Sequence, residues 1–295
     1  MSASPRDPGP AHATVGPATA LRPAALGLGA RVRRNSALIA SVSTIAVLAA
    51  IVLFFATAPG ARAFQRAFLS PDKALESARP VLSGFVINLE LMVAAEALVL
   101  AFALLIAVAR GLPGAAAFPL RLLAVAYTDF FRGVPLVLVV FAVGLGVPAL
   151  GIQVLYTDNF FVYGLVSLVL VYSAYVAEVY RAGIESVHES QIAAARSLSL
   201  SHFQSLRYVV LPQAVRRVVP PLLNDFIGLQ KDTALVSFIG VLEAFRRAQD
   251  HMAATFNFTA LTVTAVFFVA LTIPLARVTD WLVERDRRKM RALGG

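Results

Sequence analysis

Long apolar stretches, separated by shorter polar segments, dominate the pattern of this chain. A helix needs about 20 mostly apolar residues to cross the hydrocarbon core of a bilayer. Four stretches reach that length without a charged residue, and two more reach it with two or three charges inside. The pattern therefore predicts an all-α, polytopic membrane protein with six spanning helices, at Ala37–Ala58, Leu82–Ala109, Gly133–Thr157, Asn159–Ala177, Val218–Leu242 and Met252–Ala276.

The polar segments complete the predicted organisation. Residues 1–36 are rich in Pro, Gly and Ala without periodicity, which is typical of a disordered tail. Residues 59–81 are expected to form a mixed-charge extracytoplasmic loop, residues 82–284 the core with a polar segment at 183–212, and residues 285–295 a basic tail. Because the first apolar run (37–58) begins late and is long enough to span, a permanent helix is predicted there and not a cleaved signal peptide.

Composition and charge agree with a membrane location. Of the 295 residues 58% are hydrophobic and only 15% are charged, whereas about a quarter of the residues of a soluble domain are charged. The net charge is +9, and 19 of the 26 Lys and Arg residues fall in segments predicted to share a side with the N-terminus. The positive-inside rule thus predicts that both termini are cytoplasmic. The excess positive charge then requires no nucleic-acid partner.

Several kinds of chemistry are excluded by the residues themselves. There is no cysteine, so disulfides and thiolate metal sites are ruled out. None of the three lysines follows a glycine, which excludes the phosphate-binding loop of an ATPase. The four histidines are scattered, and neither a metal site nor a catalytic residue is predicted. Energy for any active transport must therefore come from an ion gradient or from another chain.

The polar segment at 183–212 carries the most local information. Two capping boxes, Ser186…Glu189 and Ser201…Gln204, predict two short helices that meet near Ser199, with Pro212 closing the second. The three alanines between them, Ala193, Ala194 and Ala195, give the first helix a small, smooth face. On these residues alone the segment could also be a solvated connector.

This segment resembles the cytoplasmic signature loop of bacterial ABC-transporter permease subunits. The matching pattern is Ala193-Ala194-Ala195, then Ser199, then Val209-Val210-Leu211-Pro212. Two positions depart from the family pattern, since its usual acidic residue falls on Ala193 and its usual glycine on Ser199. The first departure removes a charge that would contact the ATPase, and the second removes the residue best suited to a left-handed turn.

Other motifs resemble those of the polar amino-acid importers within this family, the histidine, glutamine, glutamate, arginine and opine type. In order along residues 82–288 these are Phe131-Arg-Gly-Val-Pro-Leu136, Ser173-Ala-Tyr-Val-Ala-Glu178, Pro220-Pro-Leu-Leu-Asn-Asp-Phe226, Lys231-Asp-Thr-Ala-Leu235, Arg246-Arg-Ala-Gln249 and Leu271-Thr-Ile-Pro-Leu275. The resemblance implies a type I ABC importer permease fold in a bacterial inner membrane. The first predicted span would be an addition to the usual five-span core.

The resemblance also implies partners and a mechanism. Two such permease subunits, identical or paralogous, would form the pathway, and a separate binding protein would deliver the amino acid. Two ATPase subunits would bind ATP and Mg, so that this chain carries no cofactor and is not itself an enzyme. The loop, through Ala193–Ala195, Ser199, Leu211 and Pro212, would couple ATPase closure to movement of the spans.

Charged residues within or beside the spans are the candidates for substrate binding. Arg132, before a Gly-Val-Pro break, could bind an α-carboxylate or could be a positive-inside arginine. Glu178 could bind the ammonium group or pair with Arg181 one turn later. The remaining candidates are Asp225, the pair Lys231 and Asp232, which could instead bridge each other, and Glu96, which could favour cationic amino acids; Glu90 matches no motif.

Three competing functions are weaker on sequence grounds. A proton-coupled secondary transporter using Glu90, Glu96 or Asp225 would normally show paired inverted repeats, and none is visible. A channel or scaffold would not need the alanine-rich loop. An ATPase-containing exporter half is excluded by the missing phosphate loop.

Overall fold

The computed structural model describes residues 25–293, which form α-helices, short 3₁₀ and π-helical turns, and no strand. The chain divides into two compact units, residues 1–62 and residues 63–295. Helix α1 (Ala25–Thr57) belongs to the first. The helices that follow are α2 (Ala61–Phe68), α3 (Pro71–Gly111), α4 (Phe118–Gly133), α5 (Leu136–Phe141), α6 (Val147–Ala149), α7 (Phe160–Glu185), α8 (Glu189–Ser197), α9 (His202–Ser205), α10 (Leu211–Asp232), α11 (Ala244–Thr255) and α12 (Thr259–Leu293).

The core of the second unit lies where α3, α7 and α10 pack together. Alanines on both α3 and α7, such as Ala95 and Ala174, are fully buried. Small residues let helix backbones approach closely, which is the usual way to pack helices in a membrane. Leu91, Leu168 and Leu229 fill the space between the three helices. Most large hydrophobic side chains on the outer faces remain exposed, as expected for helices surrounded by lipid.

Four described helices are long and apolar enough to cross a membrane, and a fifth crossing is formed if one bent pair counts as a single span. The four lie in α1, α3, α7 and α12, where four of the six predicted spans fall wholly or largely. The predicted span Met252–Ala276 begins too early, because α11 ends at Thr255 and α12 starts only at Thr259.

The other two predicted spans differ more from the structure. Within Gly133–Thr157 continuous helix covers only Leu136–Ala149, and the chain bends by 107° just before it, between α4 and α5. Proline at the start of α5 cannot continue the hydrogen-bonding of α4, and the bend follows. Val218–Leu242 is helical only to Asp232, after which a 3₁₀ segment, Thr233–Ile239, ends at Gly240 with φ 97°. Five charged residues on α10 lower its mean hydropathy and keep it out of the set of apolar spans.

Helices also extend into the predicted tail, the predicted loop and the predicted basic tail. Helix α1 begins at Ala25, so only residues 1–24 of the predicted tail lie outside the described residues. Residues 61–68 and 71–81 are helical, since Pro71 fits the first turn of α3 and lets that helix begin early. At the other end, α12 continues through the predicted basic tail to Leu293.

A buried polar bridge fixes α11 against α3. The Asn88 side chain donates to Glu243 Oε2 (3.0 Å) and to Thr233 Oγ1 (3.0 Å), and its oxygen accepts from the Ala244 backbone N–H. Glu243 caps α11 by accepting from the backbone N–H groups of Phe245 and Arg246. Burial raises the pKa of Glu243, while these N–H donors favour its charged form and oppose the rise.

The same contact brings two backbones together at Gly84. A Cβ at this position would lie 2.5 Å from the Glu243 carbonyl carbon and 2.6 Å from the Ala244 nitrogen. Backbone atoms cannot move aside as a flexible side chain can. Only glycine therefore fits where α3 crosses the start of α11.

We expect Gly84→Ala to lower the free energy of unfolding by about 2 kcal/mol, because the added methyl forces α11 away from α3. Thermal unfolding of the purified protein in detergent measures the change. Gly146→Ala is the matched control, since a Cβ there meets no atom within 4 Å. Equal free energies of unfolding for the two variants would contradict the close approach of the two backbones at Gly84.

Candidate functional site

A cavity of about 460 Å³ lies beside the bend between α4 and α5. Its volume falls in the range of sites that hold small molecules. The bend exposes non-helical backbone, which is tolerated at membrane depth only where it faces protein or a cavity. The lining residues come from the bend, α7 and α10: Arg132, Gly133, Val134, Pro135, Leu136, Val171, Tyr172, Tyr175, Asn224, Asp225, Gly228 and Asp232.

A second cavity of about 480 Å³ adjoins the first. The two share Arg132, Tyr175 and Asp225 in their linings. The second extends along α7 and α10 to Ser186 and Arg217, where the polar segment 183–212 begins. Arg217 donates a hydrogen bond to the Ser186 carbonyl oxygen and so ties α10 to the end of α7. The two cavities therefore lead from the bend towards that segment.

Helical spacing explains why these residues share one surface. On α7 the lining residues Tyr172, Tyr175, Val179 and Ala182 recur every three or four positions. Residues at this spacing lie on one face of a helix. On α10 the same spacing relates residues 217, 221, 225, 228 and 232. The two stripes face each other across the cavities.

Arg132 lines both cavities. Its side chain is 44% exposed and lies 3.8 Å from Glu178, a distance of weak pairing. The guanidinium carbon is 5.9 Å from the centre of the Tyr175 ring, which gives a cation–π contact. An arginine held by an aromatic face, with donors still open to a cavity, is suited to bind a carboxylate.

Glu178 is the centre of a cluster of arginines. Arg181 donates to Glu178 Oε2 at 2.8 and 2.9 Å, which is the pairing that the spacing on α7 indicates. Arg110, at the end of α3, donates both to Glu178 and to Thr128 of α4. Glu178 and Arg110 are largely buried, so that each compensates the other's charge. The cluster joins α3, α4 and α7 directly beside the second cavity.

The two aspartates of α10 differ in their partners. Asp232 accepts a hydrogen bond from the Tyr172 hydroxyl (2.8 Å). Lys231 is exposed, and within residues 25–293 no salt bridge joins it to Asp232, so the predicted bridge between them is not formed. Asp225 Oδ2 is buried and finds no hydrogen-bond partner among the described residues. A buried carboxylate oxygen without a donor is costly unless a ligand supplies one.

Glu96 and Glu90 lie away from this surface. Glu96, on α3, is half-buried and close enough to Asp225 to interact electrostatically, but it is not among the lining residues of the two cavities. Glu90 is exposed and lines a different cavity, beside Gly240 and Leu242. Within the described residues no cluster of His, Cys, Asp and Glu could hold a metal ion.

The polar segment 183–212 contains the first of the two predicted short helices, α8, whereas the second runs on into α10, and only one of the two capping boxes is present. Ser201 and Gln204 exchange side-chain to backbone hydrogen bonds at 2.8 and 3.2 Å. The predicted box at Ser186…Glu189 is wrong, because α7 extends to Glu185 and the Ser186 hydroxyl donates back to the Gly183 carbonyl. His188 caps α8 instead, accepting from the Ser190 backbone N–H.

The prediction that Pro212 closes the second short helix is wrong. Helix α9, a π-helical turn (Leu206–Val210) and α10 follow each other without interruption. Pro212 lies in the first turn of α10, where the missing N–H costs little and the wider π turn accommodates the ring. Val210 and Ala214 pack with Val187, and this small cluster holds the segment against the start of α10.

An apolar surface remains exposed on this segment. Ala193 and Ala194 are exposed, whereas Ala195 is buried. Several large hydrophobic side chains are exposed on the same segment, and the most exposed of them are Leu198 at 77% and Phe203 at 66%. Exposed aromatic and aliphatic residues of this size, next to small ones, are typical of a protein–protein contact.

Ser199 adopts the left-handed conformation for which glycine is the usual residue. Its φ is 60°. The Leu200 N–H donates to the Ala195 carbonyl and the Ser199 N–H to the Arg196 carbonyl, which is a Schellman motif at the end of α8. The turn is thus kept although the glycine is absent, at the expense of backbone strain.

We expect Ser199→Gly to stabilise the turn by about 1 kcal/mol, because glycine adopts a positive φ without steric strain. Hydrogen exchange of the α8 and α9 amides should slow by about fivefold as local opening becomes rarer. Ser197→Gly, at the last residue of α8, is the control and should have the opposite sign, since glycine is a poor helix former and Ser197 keeps helical backbone geometry. Faster exchange in both variants would contradict the strained turn.

Sequence reasoning missed Arg110, Tyr172, Tyr175, Asn88 and Glu243. The three-residue spacing of Tyr172, Tyr175 and Glu178 was a usable signal, because it places three polar-tipped side chains on one helix face. For Asn88 and Glu243 no local signal exists, since the two are far apart in sequence.

Comparison with known proteins places these features in a family. The profile of the binding-protein-dependent transport system inner membrane component family matches residues 111–291. A probable glutamine ABC transporter permease protein of Bacillus subtilis, GlnM, is 36% identical over 168 residues, covering 57% of this chain and 76% of that protein. A putative glutamine transport system permease protein of Rickettsia prowazekii is 33% identical over 178 residues, covering 60% and 79%.

Solved structures give the same fold. The crystal structure of an amino acid ABC transporter with histidines matches with a TM-score of 0.66 and 30% identity, covering 72% of this chain and 96% of that chain. The MetNI methionine ABC transporter in an inward-facing conformation matches with a TM-score of 0.57, covering 74% and 99%. Its identity of 18% supports the fold alone.

Proposed function

Because this chain belongs to the family of binding-protein-dependent transport system inner membrane components, we propose that it is the permease subunit of an ATP-driven importer of polar amino acids. Its relatives are amino-acid ABC transporter permeases. One observation carries the substrate class: a cavity of amino-acid size presents Arg132 and a buried, unpartnered oxygen of Asp225. The alternative of a proton-coupled secondary transporter is not supported, since the solved neighbours are ABC transporters.

The partners and orientation follow from this proposal. Two cytoplasmic ATPase subunits would bind ATP and Mg, and a second permease subunit, identical or paralogous, would complete the pathway in the bilayer. An extracytoplasmic solute-binding protein would deliver the amino acid. The excess of basic residues on one side favours cytoplasmic termini, and that orientation leaves the segment 183–212 in the cytoplasm.

The residues of the cavity would share the recognition of a zwitterion. Arg132 would bind the α-carboxylate through its fork of N–H donors. Asp225 would accept from the ammonium group, and Asp232, held by Tyr172, would shape the opposite end of the cavity. Glu178 would act as a positioning residue, because three arginines already surround it. Glu96 would bias selectivity towards cationic amino acids through its interaction with Asp225, and Lys231 would contribute only at the exposed end of α10.

Coupling would depend on the exposed surface of the segment 183–212. Ala193 and Ala194 leave room for the ATPase to approach, and Leu198 and Phe203 supply apolar contact area. Ala195 and Ser199 would hold the shape of α8 and its turn. Leu211 and Pro212 lie at the start of α10. Residues 217–232 of the same helix line the two cavities. A displacement of α8 would therefore move α10 and the cavity walls together.

Co-purification with the ATPase tests the function. We expect the tagged chain to retain a soluble ATPase through solubilisation, and the reconstituted complex to take up glutamine or a similar amino acid only with ATP and the binding protein. Uptake by the purified chain alone, driven by a proton gradient, would support a secondary transporter and would contradict the proposal.

A further inference from the structure

A third cavity, separate from the candidate site, lies between the first half of α10 and the last part of α12. It has a volume of about 380 Å³ and shares no lining residue with the two cavities described above. Its lining is Val215, Arg216, Val219, Pro220, Leu282, Val283 and Arg285. Two arginines thus stand beside an otherwise aliphatic wall, which is unusual for a pocket that would bind a water-soluble ion.

The charge of this cavity is set by both helices. Arg216 lies on α10 and Arg285 on α12, so that an anion between them would be approached from two sides. The Arg285 guanidinium carbon is 5.2 Å from the centre of the Trp281 ring, one turn earlier, and this contact holds the arginine in place. Arginine forks match the geometry of phosphate oxygens.

The position of the cavity along α12 indicates which kind of anion it would bind. The apolar stretch that can cross a membrane runs from Thr259 to Arg285, so the cavity lies at the end of that stretch. Trp281 is half-exposed at the same level. Tryptophan and arginine at the end of a span are typical of the boundary between hydrocarbon and headgroups. A ligand here must therefore present an anionic group next to alkyl chains.

We propose that this cavity binds an anionic phospholipid, with the phosphate between Arg216 and Arg285 and an acyl chain along the aliphatic wall. This wall is formed by Val215 and Val219 of α10 and by Leu282 and Val283 of α12. Basic pockets between spanning helices are known positions for acidic lipid headgroups. Such a lipid would fill the seam between α10, which lines the candidate site, and α12.

The chain contains a built-in probe for this lipid. Trp281 is its single tryptophan, and brominated acyl chains quench tryptophan fluorescence only at short range. The full-length protein is reconstituted with either brominated phosphatidylglycerol or brominated phosphatidylcholine at increasing mole fraction. We expect the apparent affinity for phosphatidylglycerol to be about 25-fold higher, because each of the two arginines near the headgroup contributes about fivefold. Equal quenching by the two lipids in the unmodified protein would overturn the proposal.

Two variants locate the effect. Arg216→Gln leaves the contact between Arg285 and Trp281 intact and should reduce the preference by about fivefold; adding Arg285→Gln should abolish it. Arg277→Gln is the matched control, since Arg277 precedes Trp281 by one turn and is absent from the lining. A loss of preference in Arg277→Gln as large as in Arg216→Gln would indicate general surface charge and contradict the site.

Two further outcomes would also contradict it. If inorganic phosphate relieves quenching as strongly as unbrominated phosphatidylglycerol does, the cavity recognises phosphate and not a lipid. If Arg216→Gln leaves the lipid preference unchanged but weakens binding of the ATPase, the cavity is a protein contact. Neither result tests the transport function, which is measured separately by uptake.

Discussion

Replacing Ala194 with glutamate should abolish ATP hydrolysis coupled to transport and weaken ATPase binding by about 100-fold or more. Ala194 is exposed on α8, four residues before the exposed Leu198, and Phe203 is exposed further along the same segment. In the proposed complex this surface is covered by the ATPase, so a glutamate there would be buried without a partner. An uncompensated buried charge costs roughly 3–5 kcal/mol, which corresponds to at least two orders of magnitude in affinity.

The neighbouring alanine provides a matched control. Ala193→Glu makes the same chemical change on an equally exposed residue of the same helix. Since the family pattern carries an acidic residue at this position, we expect Ala193→Glu to keep or improve coupling. ATP hydrolysis by reconstituted complexes, with and without the binding protein, measures both variants. Loss of coupling in both, or in neither, would contradict the assignment of this surface.

The local features of the segment 183–212 could be predicted from sequence because they depend on neighbours in the chain. The capping box Ser201…Gln204 is such a case, since both partners lie within one turn. The box at Ser186 failed for a reason that is not local. The predicted fourth span ended at Ala177, whereas packing against α3 and α10 extends α7 to Glu185, and the residue after it becomes a C-cap.

The composition of the cavity could be predicted only in part. Arg132 and Asp225 were found because charges in apolar segments are rare and stand out. Their relation could not be found, since it depends on the bend at Gly133–Pro135 and on two facing helix stripes. The pairing of Arg110 with Glu178 joins residues that are far apart in the chain, and no periodicity relates them. The sequence therefore identified charged residues that could bind the substrate. Helix packing determines which of them already have a partner within the protein.

That distinction gives Asp225→Asn a larger expected effect than Asp232→Asn. Asp225 Oδ2 is buried without a donor among the described residues, so its charge is available to an ammonium group. A hydrogen bond to a charged group contributes about 1.5–3 kcal/mol, and its loss should lower the uptake rate of the reconstituted importer by roughly 10- to 100-fold. ATP hydrolysis without the binding protein should be unaffected, because Asp225 lies on the cavity and not on the segment 183–212.

Asp232→Asn is the matched control, because it makes the same loss of charge on the same helix and the same cavity. Asp232 is already engaged by the Tyr172 hydroxyl (2.8 Å), and an amide oxygen accepts that hydrogen bond equally well. Uptake should therefore remain within about threefold of the unmodified protein. If Asp232→Asn were the more damaging change, the hydroxyl of Tyr172 would have to be displaced by the substrate during transport. The ammonium group would then be bound at the Tyr172 end of the cavity, about two helical turns along α10 from Asp225.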